Sequence, residues 1–342
     1  MKAVVALSGG VDSAVAAALL LEQGIAVTGV HLRMLDRDDG TEARAVANRL
    51  GIECPVLDFR AELEQQVIAD FCLEYSRGRT PSPCIRCNER LKFGVLLDRL
   101  SEFGADRLAT GHYARVARAA GDWRLERARD RAKDQSYFLY RLDQDQLGRV
   151  LMPVGDLTKA EVRARARDLG LPVADKPESQ EICFVPGDDH VAFLEERCPA
   201  AFVPGPVVDT SGNRVGEHCG IGRFTVGQRR GLGIPFGERR YVVAIDAGRN
   251  AVVVGRENEA RSSSAGLEDV RWVSGKTPGA AFRALVRVRN VHEGGMAMVT
   301  PLADRRAAVR FDEPQWAVCP GQAAVFYEGD IVLGGGIVLN AE

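Results

Sequence analysis

The sequence predicts an α/β amino-terminal part built on a doubly wound parallel sheet, followed by small all-β domains. Over the first 200 residues, short apolar runs alternate with stretches of helical periodicity, the pattern of a parallel sheet covered by helices. A glycine-rich loop follows the first apolar run. From about residue 204, glycine and valine become frequent and long helical patterns disappear. We therefore predict domains at 1–200, 201–272 and 273–342.

The bulk composition is that of an ordinary globular protein. The chain has 342 residues and a formal net charge of -2, so any nucleic acid must bind to local basic patches. No apolar run reaches the length of a membrane span, and an apolar strand follows Met1 and Lys2 directly. Eight cysteines are too sparse for a disulfide scaffold. We predict a cytoplasmic protein without a membrane partner.

The chain is organised around residues 4–21. An apolar run at 4–7 predicts a strand, 8–13 a tight loop, and the Ala/Leu-rich stretch 14–21 a helix that Gly24 ends. Glycines let a backbone turn sharply and approach a ligand, and a helix N-terminus with free N–H groups suits a pyrophosphate. The loop is neither a Walker A motif nor a G-x-G-x-x-G fingerprint.

The remaining elements follow in order. Strands are predicted at 25–32, 54–58 and 107–110, and helices at 41–50, 62–75 and 89–100. Residues 123–126 suggest one arm of a hairpin. Thr158 and Glu161 form a capping box for a helix that ends before Gly170. In the all-β part we predict a hairpin from 241–245 and 251–254, and short strands at 307–311, 323–327 and 331–333.

The stretch 282–289 alternates between two faces. One face carries Phe282, Ala284, Val286 and Val288, and the other carries Arg283, Leu285, Arg287 and Arg289. The arginine face is either solvated or a phosphate-binding surface.

The loop residues Ser8, Gly9, Gly10, Asp12 and Ser13 match the pattern Ser-Gly-Gly-x-Asp-Ser. This pattern resembles the PP-loop of the ATP pyrophosphatase superfamily. The resemblance implies an enzyme that cleaves ATP between the α- and β-phosphates and transfers AMP to a carbonyl-type oxygen.

Cys84 and Cys87 have the spacing of half a zinc or iron–sulfur site, but no second C-x-x-C pair exists. From the residues alone, a half metal site, a redox disulfide and two unrelated thiols all remain open. We expect Arg79, Arg86 and Arg90 to lower the pKa of a thiol among them.

The segment 78–93 resembles the cysteine loop of the tRNA-specific 2-thiouridylases. The similarity continues at 111–115, 133–139, 179–184 and 320–322, and so covers essentially the whole chain in order. It implies ATP-dependent 2-thiolation of the wobble uridine in the tRNAs for Lys, Glu and Gln. The uridine C2 oxygen would be adenylated, and sulfur carried on a cysteine would displace AMP. ATP, Mg²⁺ and a sulfur donor protein or sulfide are the implied cofactors and partners.

The same resemblance implies roles for individual residues. Cys183 would receive sulfur as a persulfide, and Cys87 would be its partner nucleophile. The implied ATP-binding residues are Ala6, Leu7, Ser8, Gly9, Gly10, Val11, Asp12, Ser13, Leu32 and Gly111. Those against the target base are Ser82, Pro83 and Cys84, and the other tRNA contacts are His112, Lys133, Asp134, Gln135, Arg287, Val288 and Gln322.

Two departures from the family pattern concern the sulfur chemistry. Many relatives have an acid at Cys84, and Ser82 replaces the usual Asn. Cys84, Cys87 and Cys183 could instead bind three irons of a [4Fe-4S] cluster whose fourth iron holds sulfide. The sequence is also compatible with a different PP-loop tRNA-modifying enzyme or with a non-catalytic RNA- or metal-binding protein. The remaining histidines (31, 190, 218 and 292) are expected at the surface or satisfied in the core, and cysteines 54, 72, 198, 219 and 319 as buried apolar side chains.

Overall fold

A computed structural model of the chain describes residues 1–177, 182–233 and 238–342. Residues 179–181, which carry part of the sequence resemblance, therefore lie outside the described residues. Within the described part, no helix is both long and apolar enough to cross a membrane.

The amino-terminal part is built on a five-stranded sheet. Its strands are β1 (Lys2–Ala6), β2 (Ala26–Arg33), β3 (Val56–Asp58), β4 (Arg107–Ala109) and β7 (Val150–Leu151). The order β3-β2-β1-β4-β7 is parallel throughout. The chain leaves β1 toward one edge and returns to place β4 on the other side of β1. This switch point puts the carboxyl ends of β1 and β4 next to each other, where ligands bind in such sheets.

Helices cover both faces of this sheet. They are α1 (Val11–Glu22), α2 (Thr41–Leu50), α3 (Arg60–Leu63), α4 (Ala69–Ser76), α5 (Pro83–Arg86), α6 (Gln144–Leu147), α7 (Lys159–Asp168) and α8 (His190–Arg197). Val4 packs in the core on one face of the sheet and Val5 in the core on the other, as alternation along a buried strand requires. The doubly wound fold predicted from the sequence is confirmed.

Two helical stretches are wound more widely than an α-helix. Residues 64–68 continue α3 into α4 as a π-helix, so the helix predicted at 62–75 is present as three consecutive segments. A second π-helical segment, Cys87–Leu96, continues α5. The predicted helix 89–100 therefore begins earlier, at Pro83, whose fixed φ suits a first helical turn.

The carboxyl-terminal part is a closed barrel. Its six strands are β12 (Arg261–Trp272), β13 (Phe282–Arg287), β14 (Gly295–Leu302), β15 (Arg306–Trp316), β16 (Ala323–Glu328) and β17 (Ile331–Ala341). They pair in the order β12-β15-β14-β13-β16-β17, and β17 returns to β12 and closes the ring. The barrel confirms the predicted all-β part.

A hairpin from the amino-terminal part extends this barrel. Strands β5 (Ala114–Ala119) and β6 (Asp122–Arg127) pair antiparallel, and β6 then pairs with β17 through Glu126 and Ile331. The sequence indicates the hairpin arm but not its partner.

A separate four-stranded sheet lies between the two parts. It contains β8 (Gly205–Asp209), β9 (Arg214–His218), β10 (Tyr241–Asp246) and β11 (Ala251–Gly255), in the order β10-β11-β8-β9. The predicted hairpin at 241–254 is present. The predicted boundary at 272 assigns β12 to the central domain. In the structure β12 pairs on both sides with barrel strands, so it belongs to the barrel.

Candidate active site

The glycine-rich loop connects β1 to α1 at the switch point of the sheet. Gly9 has a φ of 72°, which is readily adopted only by glycine, and a Cβ there would lie 2.8 Å from the Cβ of Glu42. The Ser8 N–H donates to Ser13 Oγ at 3.2 Å, and the Ser13 hydroxyl donates to the Gly10 carbonyl at 3.1 Å. Gly10 caps α1 with no side-chain acceptor, so the first N–H groups of this helix are available to an anion.

Gly111 packs directly against this loop from the end of β4. A Cβ at Gly111 would lie 2.5 Å from the Ser13 nitrogen and 2.6 Å from the Asp12 carbonyl carbon. Both neighbours are backbone atoms, so even an alanine would displace the loop. Leu32, also predicted to line the nucleotide pocket, lies at the end of β2 and is 9% exposed within the hydrophobic core.

Asp12 is the anionic centre of the loop. Lys159 Nζ lies 2.7 and 2.8 Å from its two carboxylate oxygens, and the Tyr113 hydroxyl donates to it at 2.7 Å. Lys159 is the first residue of α7, immediately after the capping box that Thr158 and Glu161 form. The sequence predicts that box, but the approach of α7 to Asp12 depends on tertiary packing.

A second lysine flanks the loop from the opposite side. Lys176 Nζ donates to the Gly9 carbonyl at 3.3 Å and forms an ion pair with Glu42. It borders a surface pocket of about 400 Å³ that Thr41 and Asp175 also line. Two lysines therefore contact the loop, Lys159 paired with Asp12 and Lys176 paired with Glu42. Cations in this position favour an anionic ligand such as a polyphosphate. The sequence motifs gave no functional role to either lysine.

The two cysteines of the C-x-x-C pair share one face of a helix. Cys84 lies in α5 and Cys87 begins the π-helical segment, three residues further along. Barrel residues hold the extended segment before them. The Thr80 N–H donates to the Pro320 carbonyl at 2.8 Å, and the Gln322 side-chain amide donates to the Thr80 carbonyl at 2.8 Å. Gln322, predicted to contact tRNA, thus also positions the cysteine segment.

Cys183 comes to the same place from a distant part of the chain. Its backbone carbonyl accepts a hydrogen bond from Arg37 at 3.0 Å, and the neighbouring Phe184 is buried edge-on against Phe71. The side chains of Cys84 and Cys183 are solvent-accessible, and that of Cys87 is partly buried. The structure therefore brings all three predicted sulfur residues together, close enough that Cys84 and Cys87 affect the ionisation of Cys183.

The pKa values of the three thiols are raised, whereas the sequence led us to expect lowered values. The Cys183 side chain has solvent-accessible surface, yet the protein atoms packed around its sulfur disfavour a charge there. This desolvation, followed by the charges of Cys87 and Cys84, raises the pKa of Cys183 to about 11. Burial also raises the pKa of Cys84 and of Cys87. The cation that favours all three thiolates is Lys92, on the same helix as Cys87.

The predicted lowering of the thiol pKa by arginines is therefore wrong. Arg79, Arg86 and Arg90 are each paired with carboxylates, and their charge is largely compensated. A cation lowers the pKa of a thiol only to the extent that no acid neutralises it.

This arrangement predicts a steep pH dependence. Below its pKa, a thiol gains roughly tenfold in thiolate for each pH unit, so alkylation of Cys183 by iodoacetamide should rise roughly a hundredfold between about pH 7 and about pH 9. Lys92→Met should slow the reaction at every pH, because it removes the cation that favours the thiolate. Lys276→Met, at an exposed barrel position, is the matched control. A rate independent of pH would contradict the raised pKa.

Among the residues that the structure describes, no three Cys, His, Asp or Glu side chains are grouped as metal ligands. An iron–sulfur cluster on Cys84, Cys87 and Cys183 stays a prediction. The carboxylate of Asp12 is a donor group of the kind that Mg²⁺ prefers, and its two oxygens contact Lys159 and the Tyr113 hydroxyl.

His112 and Gln135 lie between the phosphate loop and the cysteine helix. Thr110 Oγ1 lies 2.8 Å from His112 Nδ1, and burial, with a contribution from Lys92, lowers the pKa of this histidine well below its usual value. His112 is therefore neutral at physiological pH. Gln135 Oε1 accepts the Tyr113 N–H at 2.9 Å. Ser82 and Lys133 are partly buried, and Pro83 is buried.

Two residues predicted as separate tRNA contacts instead bind each other. Arg287 Nη1 lies 3.0 Å from Asp134 Oδ2, and the side chains are 7% and 1% exposed. Asp134 also accepts from Arg127 at 3.0 Å, and Arg287 donates to the His292 carbonyl at 2.9 Å. The predicted exposed arginine face is wrong at Arg287. Val288 is buried as well, whereas Arg283 is exposed as expected.

We expect Arg287→Ala to destabilise the fold. Removing one partner of a buried ion pair costs about 3–5 kcal/mol when the remaining charge has no other partner, and since Arg127 still pairs with Asp134 we expect a smaller loss of about 1–3 kcal/mol. The control is Arg283→Ala, on the same strand, whose exposed pair with Asp312 is worth about 0–1 kcal/mol. The free energy of unfolding by urea measures both. Equal stability of the two variants would mean that the Arg287–Asp134 pair makes no net contribution.

The sequence also predicts that the cysteines other than Cys84, Cys87 and Cys183 are buried apolar side chains. Cys198 and Cys319 are buried as expected, Cys54 and Cys72 are partly buried, and Cys219 is exposed, which corrects its assignment to the core. Its position before the short helix Ile221–Arg223, outside any strand, explains the difference.

A phosphate loop at the switch point of a parallel sheet, flanked by lysines, defines a nucleotide-binding protein of the PP-loop class. Family profiles match nearly the whole chain. Residues 1–187 match a tRNA methyl transferase HUP domain, 191–256 a tRNA methyl transferase PRC-barrel domain, and 262–338 an aminomethyltransferase beta-barrel domain. Full-length curated relatives carry a more specific name, and on that basis the chain belongs to the tRNA-specific 2-thiouridylase family.

The relatives cover almost the entire chain. The tRNA-specific 2-thiouridylase MnmA of Syntrophotalea carbinolica is 49% identical over 341 residues, 97% of either chain. The protein of the same name from Geobacter metallireducens is 48% identical over 97% of this chain and 95% of its own. Among solved structures, a 4-thiouridine synthetase–RNA complex with bound ATP is 19% identical, with a TM-score of 0.35 over 58% of this chain and 50% of that chain.

Proposed function

We propose that the protein 2-thiolates the wobble uridine of tRNA at the expense of ATP, with the tRNAs for Lys, Glu and Gln as substrates in the cytoplasm. One observation supports this proposal above all: the phosphate loop and the three thiols of Cys84, Cys87 and Cys183 lie on connected elements. Gly111 packs on the phosphate loop, and the adjacent His112 lies beside Phe93 of the cysteine helix, with ring centroids 5.8 Å apart. A nucleotide and a sulfur carrier can therefore act on one uridine.

The first step is adenylation. The uridine C2 oxygen attacks the α-phosphorus of ATP, the bond to the β-phosphate oxygen breaks, and pyrophosphate leaves. The N–H groups at the start of α1, with Lys159 and Lys176, bind the pyrophosphate as its charge develops. Mg²⁺, held by Asp12 and the phosphates, would neutralise further charge on the leaving group.

The second step transfers sulfur. The terminal sulfur of a persulfide on Cys183 attacks C2 of the activated uridine, and AMP leaves with the C2 oxygen. Cys87 then attacks the Cys183 sulfur, which releases 2-thiouridine and leaves a Cys87–Cys183 disulfide. A dithiol reductant supplies the two electrons and two protons that restore both thiols. Lys92 favours each thiolate electrostatically.

We also propose a division of labour along the chain. The amino-terminal part to about residue 200 holds the chemistry, the small sheet spans about 201–260, and the barrel from Arg261 onward supports tRNA binding. The pairing of β12 with barrel strands and the limits of the matched profiles support this division.

The test is direct. Protein loaded on Cys183 with sulfane sulfur from a small-molecule persulfide donor, together with ATP, Mg²⁺ and an unmodified tRNA transcript, should release pyrophosphate and yield a single turnover of 2-thiouridine, measured by mass spectrometry of nucleosides. A dithiol added afterwards restores both thiols for the next round. The matched control is the same transcript with cytidine at the wobble position, which should give neither product. Pyrophosphate release that does not depend on the wobble uridine would contradict the assignment.

A further inference from the structure

A network of opposite charges joins the cysteine helix to the barrel. Its members are Arg86, Glu89, Arg141, Asp269 and Arg305, and we call it the acid–arginine network. The Arg141 side chain at its centre is 3% exposed. Arg86, Glu89, Arg141 and Asp269 are each 26% exposed or less, so solvent screens their ion pairs little, whereas Arg305 is 60% exposed at the edge of the network.

Asp269 is the barrel's contribution to this network. Its Oδ2 lies 2.7 Å from Arg141 Nη2 and 3.4 Å from Arg86 Nη1, and its Oδ1 lies 3.1 Å from Arg305 Nη1. The Arg141 Nη1 also donates to the Asp269 carbonyl at 3.2 Å. Arg271 Nε also lies 3.9 Å from Oδ1, so one carboxylate gathers four guanidinium groups.

The backbone at Asp269 is unusual. Its φ is 49°, a left-handed conformation that only a few per cent of residues other than glycine adopt. It lies where the pairing of β12 with β17 shifts register between Glu268 and Arg271. A bulge of this kind re-aims a side chain, and here it directs the Asp269 carboxylate toward the cysteine helix.

The other end of the network brackets Cys87. Arg86 precedes this cysteine and Glu89 follows it by two residues. Glu89 Oε2 lies 3.1 Å from Arg86 Nη1, and Glu89 Oε1 lies 2.7 Å from Arg141 Nε. The turn that carries Cys87 is thus held on one side by Arg86, which Asp269 binds, and on the other by Glu89, which shares Arg86 and Arg141 with Asp269.

This turn needs an external support. It begins a ten-residue π-helical segment, a conformation that is rare and usually confined to single turns at functional sites. The thiol of Cys87 must also meet the sulfur on Cys183, which comes from a separate segment, and small displacements are costly for such a reaction. Local helix geometry alone does not fix that meeting.

We propose that Asp269 is a positioning residue for Cys87, acting from the barrel through Arg141, Arg86 and Glu89. The proposal rests on the proposed function for the role of Cys87 in sulfur transfer. It extends that function by making the barrel part of the sulfur-transfer apparatus and not only a support for tRNA binding.

The test uses two isosteric substitutions, Asp269→Asn and Glu89→Gln. Asparagine tolerates the left-handed backbone, so the first variant removes the charge and keeps the bulge. Each variant should lower 2-thiouridine formation about tenfold and leave pyrophosphate release and the KM for ATP unchanged. Alkylation of Cys87 by iodoacetamide, followed by peptide mass spectrometry, should become several-fold faster because the turn is released. The double variant should be no worse than the more impaired single variant, since both break one network.

Controls separate positioning from general loosening. Asp312→Asn removes an exposed carboxylate from the same barrel and should change nothing. Within each variant, alkylation of the exposed Cys219 and of the buried Cys198 should keep wild-type rates.

Each contrary outcome counts against the proposal. Wild-type thiolation and Cys87 alkylation in both variants would overturn it. Failure of both to fold, or faster alkylation of Cys198, would show that the network only stabilises the structure. If the wild type makes no 2-thiouridine, the proposed function fails, while the alkylation of Cys87 still reports whether Asp269 fixes this turn.

Discussion

Replacing Asp12 by alanine is expected to reduce tRNA-dependent pyrophosphate release by about 10²–10³-fold, the usual cost of losing one preorganised charged group in an active site. Asp12 is the carboxylate in the first turn of α1, and it is positioned by Lys159 and by the Tyr113 hydroxyl. Its loss removes an oxygen donor for Mg²⁺ and the group that orients Lys159. A continuous pyrophosphate assay with saturating tRNA measures the change.

The matched control for this variant is Asp168→Ala. Asp168 is exposed at the end of α7, the helix that presents Lys159, so this substitution removes the same side chain at a distance from the loop. It should retain wild-type pyrophosphate release. Because Asp12 is partly exposed, Asp12→Ala should stay folded, which circular dichroism checks. A folded Asp12→Ala protein with undiminished pyrophosphate release would show that the loop does not hold the reacting nucleotide.

Cys183→Ser and Cys87→Ser are each expected to abolish 2-thiouridine formation, by on the order of 10³-fold or more, while adenylation continues. A serine hydroxyl can neither carry a persulfide nor attack one. Pyrophosphate release should persist, because neither thiol belongs to the phosphate loop. The two products are measured in the same reaction.

Cys84→Ser is the matched control for these variants. Cys84 lies on the same helix face as Cys87, but the disulfide step involves only Cys87 and Cys183. It should therefore retain substantial thiolation. If Cys84→Ser loses both thiolation and the iron that the wild type binds, the result would instead favour the iron–sulfur cluster.

The elements that the sequence predicts best are those with local signals at both ends. Helix α2 has its predicted limits because glycines flank it, and Gly51 ends it in a left-handed cap. The capping box at Thr158 fixes the start of α7 in the same way. The hairpin of β10 and β11 follows from two apolar runs around a turn. Each of these signals acts over a few residues, so a single sequence contains it.

The candidate site could be predicted only in part, because its electrostatics depend on distant partners. The loop and the three thiols can be recognised as sequence motifs. The pairing of Arg287 with Asp134 spans the barrel and the amino-terminal part, and alternation along β13 could not show that a carboxylate would meet this arginine. Likewise, Arg86 is next to Cys87 in sequence, but its charge is compensated by Asp70, Glu89 and Asp269.

The pairing of β6 with β17 has a consequence for the order in which the protein can be completed during synthesis. The hairpin of β5 and β6 leaves the ribosome about 200 residues before its partner at Ile331. At about 5–20 residues per second, this edge waits roughly 10–40 s for its neighbour. During that time, the nucleotide-binding part of the nascent chain can fold while one edge of β6 stays unpaired. An unpaired strand edge can pair with a wrong strand. Strand β17 therefore both closes the barrel and covers this edge.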